Sequence, residues 1–247
     1  MRVTFVGSGG PTVTRDRVCP SILIDQDILI DCGAGAVRNL RVLDADLTAI
    51  QRILITHFHA DHVGDLISLL WAMEMDRRDT PIEIAGYTGV EYLTQSLLRL
   101  MHFPEEFTTL KVTYRPLIGG EEFEGVTTHR TLHRPPNIAY RVTKDGRSVC
   151  YSGDTAYYEP LAKFAEGCNL LIHDALFLAG QETLAMLTNH STAVEAARIA
   201  EKARVKTLAL FHIFPLNRDR EGEFINQARR EFNGEILVAR DLQTIEI

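Results

Sequence analysis

The chain mixes short apolar bursts with longer periodic stretches, and the two textures predict different elements. Residues 3–6, 22–24 and 28–30 are apolar, β-rich runs, and Asp25-Gln26-Asp27 between the last two reads as a tight hairpin turn. Residues 36–43 read as a helix, and residues 53–55 as a compact buried strand running straight into Thr56-His57. Across residues 63–75, apolar side chains fall at Val63, Leu66, Leu69, Leu70 and Met73, the spacing of one helical face. A strand over 82–85 and a helix over 88–101 follow, with Thr88 as candidate N-cap. Residues 110–151 have the texture of strand and turn, including a hairpin across Lys144-Asp145-Gly146-Arg147. Strand and helix then alternate: strands over 170–172, 207–211 and 236–239, helices over 192–203 and 218–232. Strand-rich stretches interleaved with helices predict an α/β protein of layered sheets covered by helices, not a simple doubly wound fold. No linker-like segment divides the chain, so residues 1–247 read as one domain.

One stretch breaks the pattern of structure and announces chemistry. His57-Phe58-His59-Ala60-Asp61-His62 packs three imidazoles and a carboxylate into six residues directly after an apolar strand. Residues two apart in extended backbone point the same way, so His57 and His59 can grip one ion together. As the chain turns into the following helix, Asp61 and His62 can swing toward a second. Imidazole and carboxylate suit zinc, and a site without thiolate also admits iron or manganese. Six residues cannot complete two sites, so further ligands must come from distant strand ends. His133 before Pro135-Pro136, Asp154 in Tyr151-Ser152-Gly153-Asp154-Thr155, and His212 after residues 207–211 all stand at such ends. The glycine-rich Gly7-Ser8-Gly9-Gly10-Pro11 is followed by no helix pattern and reads as a sharp strand exit, not a phosphate cradle.

Bulk properties narrow the partners. The 247 residues are 45% hydrophobic and 24% charged, ordinary for a soluble globular protein. A net charge of −7 offers no global attraction to phosphate backbones, so nucleic acid is not the expected partner. No apolar run reaches the ~18 residues of a membrane span, and the N-terminus reads as a first strand, not a leader peptide. The four cysteines, Cys19, Cys32, Cys150 and Cys168, form no Cys-x-x-Cys pair, and buried reduced thiols in the cytoplasm are the expectation. A homodimer is compatible with this composition.

The ordered series of ligand candidates resembles the metallo-β-lactamase superfamily, whose hallmark is His-x-His-x-Asp-His followed by a lone His, an Asp and a last His. Within it the chain looks most like the branch of ribonuclease Z and its phosphodiesterase and arylsulfatase-like relatives. Three segments carry that finer likeness: Tyr140-Arg141 after His133, Leu171-Ile172-His173-Asp174-Ala175, and His190-Ser191-Thr192 opening a helix. The resemblance implies a four-layer αββα sandwich, two mixed β-sheets flanked by helices. It implies that His57, His59 and His133 hold one zinc, that Asp61, His62 and His212 hold a second, and that Asp154 bridges them. His129, four residues upstream, is the rival to His133, which has the better spacing to Tyr140-Arg141. His102 reads as structural and His173 as a core or supporting residue.

The expected chemistry is hydrolysis. Two ions ~3.5–4 Å apart share a bridging water and lower its pKa from ~15.7 toward ~7. Asp61 can ligate and orient that water, and His190 is the candidate for protonating the leaving group; its alternative is a helix-entry histidine bonding backbone. Asp174 stands where the branch usually has Glu, and can orient His190. Only 20 residues separate His133 from Asp154, which leaves out the long arm by which ribonuclease Z grips transfer RNA. A small phosphodiester is therefore the expected substrate, with an aryl sulfate or lactone as the alternative. Arg15, Arg17, Arg134 and Arg141 are candidate anion contacts.

Overall fold

A computed structural model describes residues 1–103 and 108–247. In chain order the strands are β1 (Arg2–Gly7), β2 (Ser21–Ile24), β3 (Ile28–Ile30), β4 (Arg52–Ile55), β5 (Ile82–Tyr87), β6 (Val112–Leu117), β7 (Glu122–Phe123), β8 (Val126–Arg130), β9 (Ile138–Lys144), β10 (Arg147–Tyr151), β11 (Leu170–Asp174), β12 (Thr207–Phe211), β13 (Glu235–Val238) and β14 (Thr244–Glu246). The helices are α1 (Ala36–Val42), α2 (Ala60–Val63), α3 (Leu66–Met75), α4 (Val90–Leu100), α5 (Pro160–Phe164), α6 (Glu182–Thr188), α7 (Ala193–Ala203) and α8 (Glu221–Ala228).

The strands form two seven-stranded mixed sheets, ordered β14-β1-β2-β3-β4-β5-β6 and β13-β12-β11-β10-β9-β8-β7. Strands β3 to β6 run parallel in the first sheet, and β10 to β13 in the second. Three apolar layers follow from alternation of side chains along buried strands. Leu54, Ile172 and Phe211 face between the sheets. Ile53 and Ile55 turn outward to Leu66, Leu69 and Leu70 of α3. Leu171, Leu208 and Leu210 turn outward to Ala196, Ala197 and Ala200 of α7. The result is the expected helix–sheet–sheet–helix sandwich.

Local corrections have physical reasons. The helix expected over 63–75 is two helices, because the chain bends at Gly64-Asp65 after carrying Asp61 and His62 on the short α2. The second helix starts at Val90 behind Gly89, at φ 104, so glycine and not Thr88 ends the preceding turn. The stretch over 218–232 is helical only across α8, and α6 escaped the pattern because Ala185 is its one buried residue.

Candidate metal centre

The ligand candidates gather where strands run out. His57 leaves β4, Asp154 follows β10, His212 leaves β12, and His133 lies just beyond β8. Loops at the carboxyl ends of parallel strands carry side chains whose backbone no longer pairs within the sheet, so they are free to converge. His59 is still extended (φ −64, ψ 149), whereas Asp61 and His62 sit in the first turn of α2. That change of backbone points the two parts of the motif in different directions. His212 adopts φ 63, a left-handed conformation that costs a non-glycine residue roughly 1–3 kcal/mol where the surroundings impose it.

The seven ligand candidates form two overlapping groups of four donors, each with all its atoms within 4.8 Å of one another, and His212 also falls in a third such group, of three, with Asp174 and His190. In the first, His57 Nε2 lies 2.9 Å from His59 Nδ1 and 3.6 Å from Asp154 Oδ2, and His133 Nε2 lies 3.3 Å from His59 Nδ1 and 3.8 Å from Asp154 Oδ2. In the second, His62 Nε2 is 3.6 Å from Asp61 Oδ2 and 3.3 Å from Asp154 Oδ1, while His212 Nε2 is 3.2 Å and 3.5 Å from the same two oxygens. Four tetrahedral ligands about 2.1 Å from an ion stand about 3.4 Å apart, and both groups match that spacing. Asp154 contributes one oxygen to each. His62 Nε2 and Asp154 Oδ1 are buried with no hydrogen-bond partner among the described residues. Such orphans are costly unless something binds them, so the residues fit a pair of divalent cations.

Electrostatics agree. Burial pushes His57 well below the usual imidazole pKa, and burial also lowers His133, keeping both in the neutral, ligating form. Burial opposes charge on His62 too, but Asp154 and Asp31 outweigh it and push that imidazole well up. Protonating His62 and binding a cation are thus alternative ways of compensating the same buried carboxylates.

Several residues that sequence reasoning passed over hold this arrangement. Asp31, fully buried and at φ 56, places Oδ2 2.7 Å from His62 Nδ1 and accepts from the Thr56 amide and hydroxyl. The Asp31-Cys32-Gly33 strand end was the available signal. A side chain on Gly33 would stand 2.0 Å from the Asp61 carbonyl, so only glycine lets the motif turn there. Asn137 joins two ligand loops: its amide donates to Thr131 Oγ1 (2.7 Å) and the Ser152 carbonyl (2.9 Å), and its Oδ1 accepts from the Asp154 amide at 3.3 Å.

His190 lies against the centre without joining either group of four. Its ring is 5.0 Å from that of His133 and stacks 5.2 Å from that of His212, so it spans both halves. Nδ1 is 2.8 Å from Asp174 Oδ2, so an aspartate reaches the ring here although it is one methylene shorter than glutamate. Burial disfavours charge on His190, yet Asp174 and Asp154 prevail and raise it to about 9.

Other candidates fall elsewhere. His129 lies in β8 with its ring beside Phe164 and belongs to neither group of four, whereas His133 stands in the first of them. His102 is exposed, and His173 is buried with Nδ1 donating to the Asp174 carbonyl. Arg17 is not an anion contact: its buried guanidinium is used by Ser8 Oγ, the Ala239 carbonyl and Glu221. Arg141 is likewise spent on the carbonyls of Phe164 and Glu166. Arg15 is exposed beside Asp16, and Arg134 is exposed next to His133.

Known proteins resemble this chain over most or all of its length. Residues 26–213 match the family described as the β-lactamase superfamily domain. Ribonuclease Z of Mycobacterium bovis is 28% identical over 275 residues, spanning 100% of this chain and 98% of that protein. The solved structure of human tRNase Z, short form, superposes with a TM-score of 0.85 at 25% identity, covering 100% of this chain and 99% of that one. The metallo-β-lactamase fold protein YhfI from Bacillus subtilis shares the fold with a TM-score of 0.85 at 22% identity, covering 99% and 98%. The first two relatives are named for action on RNA, which runs against the expectation that nucleic acid is not a partner. Among the described residues, no helix is long and apolar enough to cross a membrane.

Proposed function

The chain belongs to the metallo-β-lactamase superfamily, in the branch of ribonuclease Z and its phosphodiesterase relatives, as a metal-dependent hydrolase; from that premise we propose that it is a binuclear zinc phosphodiesterase acting on small diesters. The observation that carries this reading is the pair of four-donor groups sharing Asp154, each with tetrahedral spacing. His57, His59, His133 and Asp154 would hold one ion, and Asp61, His62, His212 and Asp154 the other. When bound, the ions would supply Lewis acidity toward phosphoryl oxygens and acidify the attacking water. Asp61, 10% exposed at its side chain, is placed to orient that water. With Nδ1 of His190 engaged by Asp174, Nε2 is the nitrogen left to donate a proton to the departing oxygen. Asp174 fixes that tautomer and supports the cationic ring. We read residues 1–247 as one hydrolase domain of the cytoplasm, where four buried free cysteines would stay reduced.

Two features favour a small diester. Arg147 pairs with Lys144, so β9 and β10 join through the two-residue turn Asp145-Gly146 and carry no arm. The alignment with the mycobacterial relative runs over 275 residues against 247 here, so that relative has segments this chain lacks. The names of the relatives favour a second reading, cleavage of transfer-RNA precursors. Parallel kcat/KM measurements on bis(4-nitrophenyl) phosphate, an aryl sulfate, a lactone and a precursor transfer RNA separate these. The small-diester reading expects the phosphodiester to lead; specific cleavage of the RNA at catalytic enzyme concentration would replace it with the second.

A further inference from the structure

The two halves of the centre share Asp154 but differ sharply in the carboxylates around them. The half formed by His57, His59 and His133 has no carboxylate of its own. Its supporting contacts are neutral: His57 Nδ1 lies 3.1 Å from Thr56 Oγ1, and His133 Nδ1 donates to the Asn189 carbonyl at 2.9 Å. Asp31 reaches this half only through the Thr56 hydroxyl, which donates to it. The other half contains Asp61 as a direct donor, Asp31 at 2.7 Å behind His62, and Asp174 Oδ1 3.9 Å from the outer nitrogen of His212. The side chains of these three carboxylates are no more than 10% exposed, so solvent screens them little.

A carboxylate behind a ligating imidazole fixes its tautomer, raises its basicity and typically changes metal affinity 10–100-fold. A direct carboxylate adds Coulomb attraction that an imidazole lacks. The direct contacts that produce both effects fall on one half here, while Asp61 and Asp174 act on His59 and His133 of the other only at longer range. We propose that the two metal positions are unequal: the Asp61–His62–His212 half binds its ion more tightly and fills first, and Asp31 is the positioning residue that sets much of the difference. The proposal rests on the binuclear reading above, and it predicts that protein grown at limiting metal carries its single ion in that half.

The test is a zinc titration of the chelator-stripped full chain against a competing chromophoric chelator. Two steps are expected, the tighter at least about tenfold stronger. His59→Asn should remove the weaker step and preserve the tighter; Asp61→Asn should weaken the tighter. Asp31→Asn keeps the shape while removing the charge, and it should weaken the tighter step about 10–100-fold while shifting the weaker by less than about threefold. Two equal steps in the wild type, or loss of the tighter step in His59→Asn, would overturn the proposal. If Asp31→Asn does not fold, the two ligand variants still decide the assignment. No zinc uptake at all would instead remove the binuclear reading itself.

Discussion

Nδ1 of His190 lies 2.8 Å from Oδ2 of Asp174, a carboxylate further anchored by the backbone amides of Thr155 and Leu176. The pair touches the centre without supplying any donor to the two groups of four. His190→Ala is therefore expected to keep both metals and to lose roughly 10²–10⁴-fold in kcat, the usual range for lost acid–base help. The loss should shrink on substrates with very good leaving groups, which need little protonation. Asp174→Asn should show the same leaving-group dependence with a smaller loss. Wild-type turnover by His190→Ala on a poor leaving group would reduce that histidine to a helix-entry role.

Asn137 and Gly153 form a second coupled pair. Gly153 sits at φ 58, and a Cβ there would stand 2.4 Å from Asn137 Oδ1. Gly153→Ala should push the amide away from the Asp154 loop, destabilising the fold by about 1–3 kcal/mol and lowering metal content. Asn137→Ala removes the obstacle along with the hydrogen bonds. The double variant should then cost less than the sum of the singles, measured by denaturant unfolding. Strict additivity would show that the loop does not depend on this contact.

His173 supplies a pH test away from the metals. It shares the face of Leu171 and Ala175, is fully buried, and has Nε2 unpartnered among the described residues. Burial holds its pKa below the usual imidazole value, so the folded chain keeps it neutral where the unfolded chain takes up a proton. Its contribution is present above about pH 6.5 and lost as pH falls, by up to about 1.4 kcal/mol per unit. The stability difference between the wild-type holoenzyme and His173→Asn should narrow from pH 7 to pH 5. A constant difference would mean that His173 does not titrate between the two states.

Much of the candidate centre was legible because its donor residues follow strands closely. His57, His59, Asp61 and His62 are contiguous, and an apolar strand followed by polar ligands needs no tertiary knowledge to read. Asp154 and His212 carried the same signature. Asp31 also follows a strand, but its role was hidden, because that carboxylate gains its meaning only from β3 lying beside β4, which brings it under His62. Asn137 was invisible for the same reason. Arg17 and Arg141 were misread because a cation near a motif looks solvent-facing in sequence, and only the packing shows their guanidinium groups turned onto backbone carbonyls. The break between α2 and α3 was hidden by continuous apolar spacing from Val63 to Met73.

Two cations are expected between eight donor positions supplied by seven side chains, Asp154 serving twice. The most direct measurement is the molar ratio of transition metal to protein, by elemental analysis, in chain purified without chelators and reconstituted with zinc. About two equivalents are expected in the wild type, falling in His57→Ala and in His212→Ala, and falling furthest in Asp154→Ala, together with phosphodiester turnover. A wild-type chain that holds no metal after reconstitution, or an Asp154→Ala variant that retains both equivalents, would contradict a binuclear centre bridged by Asp154.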